Sequence, residues 1–148
     1  MKDEWYAHEG FVKVWHSIRD ACILDVKKLI EDPSLKSYCI CCTGWSHGGA
    51  LAQLCAEDLA YNGIKCTYRT FGSPKVFYGK CTKEHLEKLP IIPGICYENG
   101  SDIVPIVPIG AFCLNRTHVG ERFNILKTVA VKKYHKGYGD PSIYYYDN

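Results

Sequence analysis

The segment Gly44–Gly48, Gly-Trp-Ser-His-Gly, places a serine between two glycines in the pattern G-x-S-x-G. The apolar run Tyr38–Thr43 before it predicts a strand buried on both faces. The run Ala50–Tyr61 after it predicts a helix, so that Gly44–Gly49 becomes a glycine-rich turn between the two. A G-x-S-x-G pattern between a strand and a helix is typical of a nucleophilic serine at a sharp elbow.

The chemistry of such an elbow explains its residue types. The turn is so tight that the residues two before and two after Ser46 must lack bulk, which Gly44 and Gly48 satisfy. The first free N–H groups of the following helix point toward the serine, and we expect the amide of His47 to be one donor to an oxyanion. Ser46 is therefore predicted to attack an acyl carbonyl, in a fold of the α/β-hydrolase class.

A nucleophilic serine needs a base, and the base needs an orienting carboxylate, in the chain order Ser, acid, His. Asp102 follows the predicted strand Gly94–Glu98 and the turn Asn99-Gly100-Ser101, 56 residues after Ser46. An aspartate in such a turn also commonly binds its own backbone, which is the structural alternative. The base must follow Asp102, and spacing alone does not decide between His118 and His135.

Two other functions compete for the same segments. A phosphate-binding loop of the Walker type would end in Gly-Lys-Ser/Thr, but Gly49 is followed by Ala50. Cys39 and Cys42 form a C-x-x-C pair, yet no second Cys or His pair at zinc-finger spacing follows. Most of the nine cysteines are therefore expected to act as small hydrophobes, and no metal or cofactor is predicted.

The remaining pattern predicts strands that alternate with helices, and hence a mostly parallel sheet with helices on both faces. A helix over Gly10–Glu31 is indicated by apolar residues at three- and four-residue spacing: Phe11, Val14, Trp15, Ile18, Cys22, Val26, Leu29 and Ile30. The other predicted elements are a strand over Ile64–Phe71, a short helix over Thr82–Leu89 capped by Thr82, and a late strand pair or extended arm over Phe123–Val131.

Composition sets limits on function. The 148 residues fit one domain over 1–148, and a net charge of +2 gives no reason to expect a nucleic-acid partner. The charged start is unlike a secretory signal, and no apolar stretch is long enough to cross a membrane. Together with the many cysteines, this predicts a cytoplasmic or otherwise intracellular protein.

Three segments resemble motifs of the class 3 (fungal-type) lipases. Thr43–Leu54, TGWSHGGALAQL, is similar to the TGHSLGGALA segment around that family's serine. Phe71–Val76, FGSPKV, is similar to the family's FGxPRV strand end. Asn99–Pro105, NGSDIVP, resembles its N-x-x-D-x-V-P acid loop.

Three histidine segments extend the resemblance along nearly the whole chain. His8–Phe11 is similar to the H-x-G-F that opens the family's first long helix, and Thr117–Gly120 to its H-x-G segment. His135–Tyr138 resembles the H-x-x-Y segment that carries the catalytic base. The resemblance implies a Ser46–Asp102–His135 triad that hydrolyses acyl esters of small molecules or lipids, with His118 in a supporting role near the pocket.

The chain departs from the family at two places. Trp45 stands where the family usually has His, which we expect to alter packing beside the elbow rather than the chemistry. The family also places a strand, a turn with a second oxyanion donor and a lid upstream of H-x-G-F, whereas seven residues precede His8 here.

This second departure has consequences for activity and assembly. It predicts a sheet without the upstream strand and lid, and a weak hydrolase or, as the alternative, an inactive lipase-like binding protein. It also predicts an open sheet edge that could pair with a second copy of the chain. Contact with a lipid surface would be peripheral.

Overall fold

A computed structural model describes residues 5–79, 81–91, 94–100, 102–106, 116–117 and 121–126. Its first helix, α1, spans Glu9–Glu31, close to the predicted limits. His8 caps the helix, since its Nδ1 accepts a hydrogen bond from the Gly10 amide at 3.1 Å. Asp32 ends α1, and a 3-10 turn follows at Pro33–Leu35.

The serine segment is more compact than the sequence suggests. Strand β2 spans Ile40–Trp45 and helix α2 spans His47–Tyr61, so the predicted six-residue turn reduces to Ser46 alone. The prediction that this strand is buried on both faces is wrong, because Cys41 and Thr43 are exposed while Cys42 between them is half-buried. The strand thus presents one covered face and one open face.

Four parallel strands form the main sheet. The remaining three are β3 (Cys66–Phe71), β5 (Ile95–Asn99) and β7 (Glu121–Leu126), in the order β2-β3-β5-β7. Within the described part of the chain, β2 is therefore at one end of the sheet, as expected for an open edge. The strand β7 begins two residues before the predicted arm and covers its first four residues.

Short elements complete the fold. Strands β1 (Tyr6–Ala7), β4 (Phe77–Tyr78) and β6 (Arg116–Thr117) form a small antiparallel sheet that the sequence did not predict. Helix α3 spans Thr82–Glu87 and a 3-10 turn spans Val104–Ile106. The prediction that Thr82 caps α3 is wrong, because Thr82 is the first helical residue and is buried, while Cys81 takes the cap position without a side-chain hydrogen bond.

The core joins the helices to one face of the main sheet. One cluster packs Ile23 of α1 and Leu59 of α2 on Cys66, Tyr68 and Cys96 of the strands. A second cluster joins Trp15, Leu54 and Leu86 of the three helices to Val76 and Phe77. This arrangement, a parallel sheet flanked by helices, confirms the predicted α/β-hydrolase fold class. Helices α1 and α2 pack on the same face of the sheet.

The apolar stripe of α1 is covered only in part. Trp15 is buried as predicted, but Ile23, which the sequence interpretation left out, is the other buried residue of the helix. Exposed members of the predicted stripe are Val14, Ile18, Leu29 and Ile30. In the described residues, no helix is long and apolar enough to span a bilayer.

Candidate active site

Ser46 has the backbone conformation of a strained elbow. Its φ of 51° and ψ of −122° make it the one positive-φ residue other than glycine in the described part of the chain. A side chain in this region costs of order 1–3 kcal/mol and persists only when the surrounding structure holds it there. The conformation of Ser46 is therefore maintained at a cost in stability.

Backbone hydrogen bonds hold this conformation. The Ser46 amide donates to the Phe71 carbonyl at the end of β3, at 2.8 Å. The Ser46 carbonyl accepts from the amides of Gly49 and Ala50, at 2.9 and 3.3 Å. The strained residue is therefore fixed to both β3 and the first turn of α2.

The two glycines of the motif have different roles. A Cβ added at Gly44 would lie 2.1 Å from the Gly48 carbonyl oxygen and 2.8 Å from the Gly49 nitrogen. A Cβ at Gly48 would meet nothing within 4 Å. The expectation that Gly48 must itself lack bulk is therefore wrong, and the backbone of Gly48 is instead what excludes a side chain at position 44.

Ser73 and Gln53, which the sequence did not single out as site residues, pack beside the elbow near the end of β3. A Cβ at Gly49 would lie 2.7 Å from Ser73 Cβ, so the first turn of α2 packs directly on the segment after β3. Gln53, on the next turn, is buried and its Nε2 donates to Ser73 Oγ at 2.8 Å. Gln53 lies in the segment GGALAQL and Ser73 in the segment FGSPKV. The available signal was an amide side chain close to a pair of glycines.

The Ser46 hydroxyl does not serve as an ordinary helix cap. Serine at the N-cap position commonly accepts a hydrogen bond from the helix, but the Ser46 side chain makes no such bond. Because α2 begins at His47, helix geometry gives the amides of His47 and Gly48 no carbonyl acceptor one turn earlier. A half-buried hydroxyl thus adjoins donors of the kind that stabilise an oxyanion.

The His47 imidazole packs against helix α1. It is exposed, and its ring meets Phe11 of α1 edge-on with centroids 5.3 Å apart. Phe11 in turn packs on His8 at 4.6 Å. This contact joins the start of α2 to α1.

Asp102 lies where the sequence predicts an acid. It is buried, at 6% exposure, and follows the end of β5 through a turn closed by its own amide, which donates to the Asn99 carbonyl at 2.9 Å. Its Oδ1 accepts from the Val104 amide at 3.0 Å. The turn role proposed as an alternative is therefore real, and it fixes the carboxylate in place.

The sheet register brings Ser46 and Asp102 to one edge. Trp45, Phe71 and Tyr97 are aligned across β2, β3 and β5, and Ser46 and Asp102 follow at the carboxyl ends of the outer two of these strands. Two strand spacings separate the ends of β2 and β5 laterally by roughly 10 Å. That gap is comparable with the reach of one imidazole that makes a hydrogen bond of about 2.8 Å on each side.

The two candidate bases, His118 and His135, lie outside the described residues. Their described neighbours are informative. Leu126, the last residue of β7, pairs with Asn99 at the edge that carries Ser46, whereas Glu121 pairs with Ile95 at the opposite end of β5. Strand β7 therefore ends at the edge of the sheet that carries Ser46.

Trp45 is part of the sheet beside the elbow. It ends β2 in register with Phe71 and is half-buried. The Phe71 ring stacks on Tyr97 with centroids 5.1 Å apart. Trp45 thus continues an aromatic row at the carboxyl ends of the strands, and a packing role is what we expect of it.

The two cysteines of the C-x-x-C pair have different surroundings. Cys39 is exposed, while Cys42 contacts Cys55 of α2 with 3.6 Å between the sulfur atoms. Among the described residues, no group of three or more His, Cys, Asp or Glu side chains is placed to hold a metal ion.

A separate open cavity of about 770 Å³ lies between α1, the far half of α2 and α3. Trp5, Arg19, Glu57 and His85 are among its walls. Glu57 is eleven residues along α2 from Ser46, or roughly 16 Å at 1.5 Å per residue. This cavity is not part of the serine site.

A parallel sheet with a strained serine between a strand and a helix, and a buried aspartate two strands away, defines an α/β-hydrolase. The sequence profile of the family described as Lipase (class 3) matches residues 1–112. The chain belongs to that family.

Named relatives agree with this assignment. Phospholipase A1-II 5 of Oryza sativa subsp. indica is 29% identical over 119 residues, which are 74% of this chain and 25% of the rice protein. The solved lipase of Rhizopus microsporus var. chinensis superimposes with a TM-score of 0.70 at 27% identity, over 82% of this chain and 42% of that one. A Rhizomucor miehei triacylglyceride lipase does so with a TM-score of 0.72 at 26% identity, over 86% and 47%. The chain thus spans a quarter to about half of these relatives' lengths.

Proposed function

We propose that the chain is a serine ester hydrolase that acts on acyl esters through Ser46, Asp102 and His135. The observation that carries this proposal is the backbone of Ser46, with φ at 51° and its amide bonded to the end of β3. A glycine there would remove the strain, so a serine is best explained by a need for its hydroxyl. Family membership supports the same chemistry.

The mechanism follows from the roles of the three side chains. His135 removes the proton from the Ser46 hydroxyl as Ser46 attacks the ester carbonyl, and returns it to the departing alcohol. Asp102, already fixed by the Val104 amide, orients the imidazole and stabilises its positive charge. Water then attacks the acyl-enzyme by the same route and releases the acid.

The register of β7 favours His135 over His118 as the base. His135 follows Leu126 by nine residues, and nine extended residues span up to roughly 30 Å. This length is enough for the His135 side chain to reach Ser46 and Asp102 from the end of β7. Strand β7 begins at Glu121, which pairs with Ile95 at the other end of β5, so its register gives no comparable argument for His118. We assign His118 the supporting role that the family resemblance implies.

The oxyanion would bind at the start of α2. The amide of His47 is one donor, and loss of a second donor would slow acyl transfer by about 100- to 1,000-fold. The alternative of an inactive binding protein is not favoured, because such a protein would gain stability by relaxing Ser46.

The substrate class is proposed from the relatives, one of which is named a phospholipase, one a lipase and one a triacylglyceride lipase. We propose carboxylic esters of lipids, reached by peripheral contact with a lipid surface. The open edge of β2 is the place where two copies could pair, and the concentration dependence of the sedimentation coefficient would test this. A β2 substitution Cys41→Pro, which removes an edge amide, should abolish any such dimer.

Ester hydrolysis can be tested with p-nitrophenyl butyrate on the full chain. Ser46→Ala should reduce the rate to that of buffer, and equal rates in wild type and variant would refute the proposal. His135→Ala should abolish turnover, whereas His118→Ala should reduce it only in part. Loss of turnover in His118→Ala alone would transfer the role of base to His118.

A further inference from the structure

Two cysteines contact each other on the strand and the helix that flank Ser46. Cys42 on β2 and Cys55 on α2 are both half-buried, and the Cys42 thiol donates a hydrogen bond to the Cys55 sulfur across 3.6 Å. The first lies four residues before Ser46 and the second nine residues after it. The pair therefore spans the two elements that hold the nucleophile.

The environment makes these two thiols unequal. The hydrogen bond from Cys42, together with burial, raises the pKa of the Cys42 thiol above its usual range. The same hydrogen bond lowers the pKa of Cys55 despite partial burial, because it stabilises the thiolate. Cys55 is the thiol of the pair that is better suited to react first.

The other cysteines nearby have different surroundings. Burial raises the pKa of Cys66 to about 11, and its thiol donates to the Ala56 carbonyl at 3.2 Å. Burial likewise raises the pKa of Cys22 on α1. Cys39 and Cys41 are exposed, and strand alternation places Cys41 on the face opposite Cys42.

We propose that Cys42 and Cys55 are a modification site that forms a reversible disulfide. With a small-molecule disulfide such as oxidised glutathione as the oxidant, the Cys55 thiolate attacks one sulfur and releases one thiol. Cys42, after loss of its proton, then attacks the mixed disulfide and releases the second thiol. Two protein thiols are oxidised and one small disulfide is reduced to two thiols, so electrons and protons balance.

The bridge would tie β2 to α2 on both sides of the nucleophile. It closes a loop that contains Ser46 and its neighbours between cysteines 13 residues apart. Closing a loop of this size restricts the unfolded chain, and the stabilisation typical of such a disulfide raises the melting temperature of a domain this large by about 6–12 °C. Oxidation would thus stabilise the elbow rather than block it.

The test equilibrates the full chain with oxidised glutathione and maps the bridge by mass spectrometry. Trypsin leaves both cysteines in one peptide, since no Lys or Arg lies between Ser37 and Ile64. Chymotrypsin cuts after aromatic residues and leucine, here Tyr38, Trp45, Leu51, Leu54 and Leu59, which separates Cys39–Trp45 from Cys55–Leu59. A disulfide-linked pair of these two peptides is expected, and reduction should release it.

Variants identify the partner within Cys39–Trp45. Cys42→Ala and Cys55→Ala should each abolish the linked pair, whereas Cys39→Ala and Cys41→Ala should retain it. A linked pair that survives Cys42→Ala, or thiols that all stay free at equilibrium, would overturn the proposal.

Thermal melting gives a second readout. The oxidised wild type and the oxidised Cys41→Ala control should melt higher than their reduced forms. Cys42→Ala and Cys55→Ala should show no rise on oxidation. If the melting temperature of the wild type does not rise when the disulfide has formed, the proposal that the disulfide stabilises the elbow is contradicted.

Discussion

Gly44→Ala should destabilise the protein far more than Gly48→Ala, although both change a glycine of the same motif. An alanine Cβ at position 44 would lie 2.1 Å from the Gly48 carbonyl oxygen and 2.3 Å from its carbon. Real Cβ atoms stay beyond 3.0 Å, so the first turn of α2 must retreat by 0.9 Å or more (3.0 − 2.1).

The magnitude follows from what must move. The atoms in the way are backbone, which cannot swing aside as a flexible side chain would, and that same turn holds Ser46 through Gly49. We therefore place the cost at the upper end of the overpacking range, about 3 kcal/mol. For a domain of this size, that lowers the melting temperature by about 6–12 °C.

Gly48→Ala is the matched control. Its Cβ meets nothing within 4 Å, and alanine favours a helix over glycine. Its free energy of unfolding should rise by about 0.5 kcal/mol. Differential scanning calorimetry or thermal fluorescence on both variants measures the contrast. Equal melting temperatures for the two variants would show that the turn does not have the packing described.

Three further substitutions test other parts of the account. Ser46→Gly should raise the free energy of unfolding by about 1 kcal/mol in urea denaturation while it abolishes ester hydrolysis, because it relieves the positive φ, and a stability loss would contradict the strain. Gly49→Ala, whose Cβ would lie 2.7 Å from Ser73 Cβ, should cost about 1–3 kcal/mol in the same assay, and a neutral result would exclude the close packing. Burial opposes ionisation of Asp58, but hydrogen bonds and charge from Arg19 outweigh this effect and lower the pKa of Asp58. The ionised carboxylate therefore stabilises the fold above about pH 4, and this contribution is lost as the pH falls further. Urea titrations at pH 5 to 2 should show a weaker loss of stability in Asp58→Asn than in wild type, and identical slopes would refute this.

The main elements and the position of Ser46 could be predicted because they depend on local sequence. Strand β2, helix α2 and strand β5 follow from apolar runs broken by glycine, asparagine and proline. Asp102 was predictable because carboxyl ends of parallel strands meet at one edge. The precise length of the elbow was not, since glycines permit both a long turn and an immediate helix start.

The errors have tertiary causes. Periodicity identified α1 but not the covered part of its stripe, because burial of Val14 or Ile23 depends on where α2 crosses it. The two-residue strands β1, β4 and β6 carry no period that a sequence could display. The pairing of Cys42 with Cys55 across strand and helix, rather than with Cys39, likewise depends on packing.

Labelling of Ser46 by a fluorophosphonate probe tests the central claim most directly, since it requires an activated serine but no knowledge of the substrate. The full chain should carry one probe adduct, mapped by mass spectrometry to the chymotryptic region after Trp45, and Ser46→Ala should carry none. Asp102→Asn should label more slowly than wild type. A folded wild-type chain that stays unlabelled, or a label that persists in Ser46→Ala, would contradict the assignment of Ser46 as the nucleophile.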